Sequence, residues 1–292
     1  NISWSSAGSN TDVFYDVAID SNDNVYAVGR GKHVATTSSN DDFVIKMYDT
    51  NGTENVTAWN KTFDGNGGKD QANSIAISSD DKIYVVGESN NLVGGSTAKD
   101  WWIKKFNASG EEYATWNKTF NLADQGDEAE RVLVDSNGSV YVIGTLDYGT
   151  GTGTDWWIKK FNSSGSEETT FWNKTFTGTS SAEVDAAFGA ALDAQEDLYI
   201  VGYATNATST TSNEDWMIQK VHTHNTSKRD IEIKWYNNSE EVIEARNSST
   251  LGAGNTTPGE DWFYSVRIFD GVDWTPFVNS TALHVYGVAA WT

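Results

Sequence analysis

Asp12, Asp70, Asp127 and Asp185 lie 58, 57 and 58 residues apart. Carboxylates set out by a repeat are oxygen ligands of the kind Ca²⁺ takes. If the repeat is radial, the four converge near one mouth of a central channel and would hold a cation there. The competing use is local: each Asp caps a turn or bonds the backbone of an adjacent unit. Asp42, Asp100, Asp155 and Asp215 open a later segment of each unit and carry the same two readings. His222 and His224, two residues apart, would face one side of a strand, a spacing that can hold a metal, but no third ligand is evident. The pairs Trp101–Trp102 and Trp156–Trp157 offer ring faces for sugar stacking. Neighbouring strand residues point to opposite faces, so one of each pair belongs to a core and the other is available for contact. The glycine-rich stretch 149–155 is no phosphate loop, since neither Lys nor a helix follows it. No Ser–His–Asp set is placed by spacing. Paired carboxylates in so acidic a chain assign no catalytic role. The expectation is therefore no enzyme, no catalytic residue, and no cofactor other than Ca²⁺.

These residues are placed by a unit that recurs four times. Tyr26, Tyr84, Tyr141 and Tyr199 each sit in a short apolar run closed by Gly29, Gly87, Gly144 or Gly202: NVYAVG, KIYVVG, SVYVIG and DLYIVG. A period of this length signals a ring or stack of like units. The second unit reads as four segments, SIAIS, KIYVVG, DWWIKKF and ATWNKTF, rich in β-branched and aromatic residues and separated by Gly, Asn, Asp and Ser. That is the signature of strands and tight turns. DSND, SSDD, DSNG and DAQE join the first two strands, because Asp and Asn side chains bond nearby backbone amides. Four antiparallel strands per unit, repeated radially, predict a four-bladed β-propeller over residues 1–223. The fourth unit lacks an obvious fourth strand. ISWSS (residues 2–6) is expected to supply it by pairing against residues 215–221, which would remove an open edge. The alternative is that IEIKW (residues 231–235) is that strand.

The wording "D-x-A-x-x-I-A-x-D-x-x-x-N-V-Y-x-V-G … D-[FW]-x-I-K-K-x-x-x-x-G" resembles the bacterial and archaeal SBBP-type, or seven-bladed-type, β-propeller repeat, over roughly residues 11–222. The resemblance implies a propeller fold and a surface or secreted protein, with the recurring Asp as a structural residue. It implies no shared chemistry. The chain departs from the family in having four copies rather than seven.

Composition narrows the classes. The chain has 292 residues, a net charge of −21, 13 Trp and no Cys. Such acidity argues against nucleic acid and anionic membrane surfaces as partners. It suits a cation-rich medium. Without Cys there is no disulfide and no zinc–thiolate site. No apolar stretch approaches the 18 or so residues of a membrane span. The first residue is Asn rather than Met, which predicts a removed signal peptide or a fragment.

N-x-S/T sequons occur at Asn1, Asn51, Asn55, Asn60, Asn107, Asn117, Asn137, Asn162, Asn173, Asn206, Asn225, Asn237, Asn247, Asn255 and Asn279. Asn60, Asn117 and Asn173 share one repeat position, in WNKTF on the outermost strand, and Asn107 and Asn162 share the preceding hairpin. N-glycosylation at the rim of the propeller is expected. It implies export, and the missing cysteines favour an archaeal cell surface.

After about residue 224 the repeat stops. "W-Y-x-N-x", "G-x-x-W-x-x-x-V-x-x-x-D-G" and "V-N-S-T-A-L-x-V" resemble the later strands of immunoglobulin-like modules of archaeal and bacterial surface proteins, with Trp235 and Trp262 as core aromatics. The resemblance implies a small β-sandwich over residues 224–292, short of the strands that should precede Trp235. A strand from a neighbouring copy, drawn from GVAAWT (residues 287–292) or from the N-terminus, would complete it and link subunits head to tail. The function expected is an extracellular structural glycoprotein of a surface layer, sheath or filament. The alternatives are an adhesin or glycan-binding propeller, and a propeller enzyme in which one blade breaks the repeat with charged residues at the channel mouth.

Overall fold

The structure, a computed structural model, describes residues 3–4, 11–32, 40–90, 92, 98–121, 126–147, 153–176, 184–205, 214–221, 231–238, 240–241, 260–268, 278–279 and 283–284. The chain is all-β and divides into two compact units, Asn1–Val221 and His222–Thr292.

The first unit holds four antiparallel sheets in chain order. The first is β1 (Val13–Ile19), β2 (Val25–Lys32), β3 (Asp41–Tyr48) and β4 (Lys61–Phe63). The second is β5 (Asp70–Ile77), β6 (Ile83–Asn90), β7 (Lys99–Phe106) and β8 (Lys118–Phe120). The third is β9 (Glu128–Val134), β10 (Val140–Asp147), β11 (Thr154–Phe161) and β12 (Lys174–Phe176). The fourth is β13 (Ala186–Leu192), β14 (Leu198–Thr205) and β15 (Glu214–Val221), with three strands among the described residues. Within each sheet the strands pair in sequence order, as the hairpin signals require. Single helical turns, Ala114–Trp116 and α1 (Thr169–Trp172), precede β8 and β12.

The hairpins show why the turn words recur. Asp20 accepts N–H bonds from Asn22 and Asn24, both at 2.9 Å, and Asp135 accepts them from Asn137 and Ser139. The fourth turn residue then takes a positive φ in every unit: Asp23 at 62°, Asp81 at 55°, Gly138 at 78° and Glu196 at 62°. A type I turn followed by a left-handed residue is a standard hairpin connection. A second regularity is a bulge in each first strand, at Tyr15, Asn73, Glu130 and Phe188, opposite the closing glycine of the second strand. A Cβ on Gly29, Gly87, Gly144 or Gly202 would collide with the carbonyl oxygen of Val13, Gln71, Glu128 or Ala186. The repeated glycine is thus the partner of the bulge.

The core lies between sheets. One apolar cluster joins the first sheet to the second, with Phe43, Ile45 and Trp59 against Ile75, Trp102 and Phe106. A second joins the second to the third through Val86, Trp101 and Ile103 against Val132, Val142 and Trp157. A third joins the third to the fourth through Ile143, Trp156 and Ile158 against Ala187, Leu198 and Ile200. The first strands lie side by side in the order β1, β5, β9, β13. Among the described residues no sheet closes on itself. The expected pairing of residues 2–6 with β15 is not among the pairings of the described residues. Ser3 and Trp4 belong to no strand, β15 pairs only with β14 among the described residues, and Trp4 rests on the first sheet. Residues 2, 5 and 6 lie outside the described residues.

The second unit has one described antiparallel sheet, ordered β17 (Glu240–Glu241), β16 (Ile231–Asn237), β18 (Asp261–Ile268) and β19 (Val278–Asn279), with β20 (Leu283–His284) also pairing β18. The register of β16 runs from Ile231 against Ile268 to Asn237 against Trp262. Ile231–Trp235, the alternative candidate for the fourth sheet's last strand, is described in this sheet. Trp262 is buried, and Tyr236 stacks on Phe263 at 4.7 Å. The side chain of Trp235 and residues 287–292 lie outside what is described.

Candidate functional site

The four recurring aspartates are each used within their own sheet. Asp12, Asp127 and Asp185 accept the backbone N–H of the residue twenty places on, Lys32 at 3.2 Å, Asp147 at 2.8 Å and Thr205 at 2.7 Å. Asp70 accepts the Ser89 hydroxyl and the Gly65 N–H, the latter at 2.7 Å. Each carboxylate therefore ties the start of a first strand to the far end of the second, the local use anticipated as the competing reading. What the fold brings together instead is Asp70 with Asp42 and Asp64, one oxygen from each within 4.8 Å of the others. Burial pushes the Asp70 carboxyl up to about 6, and Asp64 and Asp42 add to the effect. Three converging carboxylates suit a hard cation such as Ca²⁺, which would relieve their repulsion. At the next junction Asn121 donates an amide N–H to Asp100, and among the described residues such a group of three carboxylates occurs at the first junction alone.

A second group was not foreseen. Arg30, Asp41, Lys69, Gln71, Glu88, Lys99 and Glu128 line a polar cavity of about 200 Å³ at the ends of β2, β3, β5, β6, β7 and β9. Arg30 pairs with Asp41 at 3.2 Å, and Lys99 with Glu88 at 3.0 Å and with Glu128. Burial, with Glu128 next, pushes Glu88 up to about 7. The same two causes push Glu130, the bulge residue of β9, up to about 7. Lys99 is held above the usual lysine value by Glu88 and Glu128, against the desolvation that lowers it. Such groups exchange protons near neutrality and can meet a small charged ligand. The repeat does not mark them, because they depart from it. The counterparts of Glu88 are Arg30, Thr145 and Tyr203, and those of Lys99 are Asp41, Thr154 and Glu214. Departure from the repeat was the available signal.

The tryptophan pairs are corrected. Trp101, Trp102, Trp156 and Trp157 are all buried, because each middle sheet packs on both faces. None offers a ring for sugar stacking. His222 and His224 lie outside the described residues.

Among the sequons, Asn51, Asn60, Asn117, Asn137, Asn173 and Asn279 are exposed, and Asn55, Asn107, Asn162 and Asn237 partly so. The shared position in WNKTF has a structural use. Asn117 Oδ1 accepts from Trp102 Nε1 at 2.7 Å and Lys104 Nζ at 3.3 Å. Asn173 Oδ1 accepts from Trp157 Nε1 at 2.7 Å and Lys159 Nζ at 3.4 Å, and Asn60 Oδ1 accepts from Lys46. The oxygen turns inward, which sets the amide nitrogen outward. Asn107 and Asn162 cap their hairpins through Oδ1, as Asp49 does in the first unit. The sequons at Asn1, Asn206, Asn225, Asn247 and Asn255 lie outside the described residues.

No helix among the described residues is long and apolar enough to cross a membrane. No protein-family model matches the chain, and neither does any curated protein.

Proposed function

We propose that the chain is an extracellular structural glycoprotein, a self-assembling subunit of an archaeal surface layer, sheath or filament. Its four sheets are blades of an SBBP-type β-propeller, with β1, β5, β9 and β13 innermost. The sheet of the second unit belongs to an immunoglobulin-like module completed by a strand from a neighbouring copy. The observation that carries this reading is the placement of Asn60, Asn117 and Asn173: one exposed sequon asparagine beside the outermost strand of each of three successive sheets. Their inward-facing oxygens explain why Asn recurs there. They do not require the Thr two residues later, and Thr119 and Thr175 are themselves exposed. A glycan at these sites projects from the edge without entering a core.

Intact-glycopeptide mass spectrometry of native material tests this, with glycan expected on all three asparagines together. Thr119→Ala removes the acceptor at Asn117 and leaves its bonds to Trp102 and Lys104 in place, so the variant folds and loses one glycan. Bare asparagine at all three positions sinks the glycoprotein reading. A second reading, an adhesin or binding propeller, is favoured by one observation: the charged cavity around Arg30, Glu88 and Lys99, which departs from the repeat.

A further inference from the structure

Every junction between sheets uses the same repeat positions. One sheet presents Trp101 and Ile103, or Trp156 and Ile158, all buried to 0% exposure. The next receives them on residues such as Ala129 and Val132, or Ala187, which are exposed by 2% or less. The two ends of the array lack their partners. On the fourth sheet the presenting residues are Trp216, 96% exposed, and Ile218, 73% exposed, beside Phe188 and Val201. They border an apolar hollow of about 480 Å³. On the first sheet the receiving residues are Phe14, Val17 and Ile19, 41%, 59% and 61% exposed. Large apolar patches of this kind mark interfaces.

The strand inventory is complementary as well. Lys104 Nζ lies 4.1 Å from the ring of Phe63, contributed by the outermost strand of the preceding sheet, and Lys159 Nζ lies 4.3 Å from Phe120 in the same relation. At the first sheet Lys46 Nζ lies 4.6 Å from the Trp4 ring. Trp4 thus occupies the place of the outermost strand of a sheet that would precede the first. The fourth sheet has three described strands, and among the described residues β15 pairs with β14 alone.

We propose that the outward face of the fourth sheet docks on the first sheet of a second copy of this chain, and that the Ser3–Trp4 segment of that copy lies along β15 as its fourth strand. The proposal rests on the assembling-subunit reading and specifies its contact. The occupant is a second copy because the described residues show one exposed presenting face, one exposed receiving face, a sheet of three strands and the Ser3–Trp4 segment outside any strand. Within a single copy the two faces stay exposed. The contact is head to tail, so it closes into a ring of copies or propagates.

By the register of β11 with β12, Trp4 aligns with Trp216 and Ser3 with Met217. The chain has no cysteine of its own, so the variant Ser3→Cys/Met217→Cys carries only the designed pair. On mild oxidation it should give covalent dimers or longer oligomers on non-reducing gels. A disulfide-bonded monomer would overturn the proposal in favour of closure within one chain, and no disulfide would overturn it outright. In parallel, the unmodified chain should sediment as an oligomer. Trp216→Glu should stay folded and sediment as a smaller species, since the indole is 96% exposed in the isolated copy. An unmodified chain that stays monomeric at high concentration overturns both this contact and the assembling-subunit reading. Assembly that persists unchanged in Trp216→Glu overturns the contact and leaves that reading standing.

Discussion

Glu88 and Glu130 are the residues whose chemistry can be followed by a simple titration. Both are held at about 7, well above an ordinary glutamate, by burial and by Glu128. Folded chains therefore keep protons that unfolded chains have released. The resulting stabilisation is complete below the unfolded value of about 4.3 and is lost as the pH rises through about 7. The melting temperature of the first unit should climb as the pH falls from 8 to 5, with Asp70 adding its part near 6. Asp20 and Asp80, held below the usual aspartate value, oppose this only under about pH 4, outside that window. Scanning calorimetry at several pH values checks the slope, and Glu88→Gln should flatten it. A melting temperature that falls between pH 8 and 5 would show that these carboxyls are ionised in the folded chain.

The strands and their hairpins were legible in the sequence because their determinants are local. The turn aspartates, the left-handed fourth turn residue and the apolar alternation all act within about ten residues of themselves. The bulge was not read, although its mark, a glycine closing every second strand, was in plain view. Only the fold reveals that a carbonyl of the first strand lies where a Cβ would stand. Gly87→Ala should therefore cost about 2 kcal/mol or more, since it forces apart a paired backbone in a packed sheet. Gly126, whose Cβ would meet nothing within 4 Å, is the control, and its Ala variant should unfold at nearly the parental denaturant midpoint. Equal midpoints for the two variants would mean that the bulge yields cheaply. The charged cavity escaped for the opposite reason. Arg30, Glu88 and Lys99 follow no pattern, and six strand ends must be assembled before they meet.

How many sheets complete the array was not legible either, because every junction is written in the same residues and none of them counts. The same uniformity makes the unpaired ends at Trp216 and Val17 visible as departures. If those ends meet between copies, folding and association are linked, and stability depends on protein concentration. A hundredfold rise in concentration corresponds to about 2.7 kcal/mol of linkage, several degrees in melting temperature for a unit of this size. Differential scanning fluorimetry across that range should show the rise for the unmodified chain and none for Trp216→Glu. A flat response in both would place the stability of the chain wholly within one copy.

The interchangeable junctions also bear on how such a chain changes over generations. An insertion or deletion of one whole unit, cut at corresponding points such as the turns after Ile19 and Ile77, puts a presenting face of Trp or Phe against a receiving face of Ala and Ile once more. Unequal crossing-over between the repeats of a gene makes such products without a point mutation. Array length is therefore free to drift while the apolar junctions are preserved, and selection on size acts through recombination rather than through repacking.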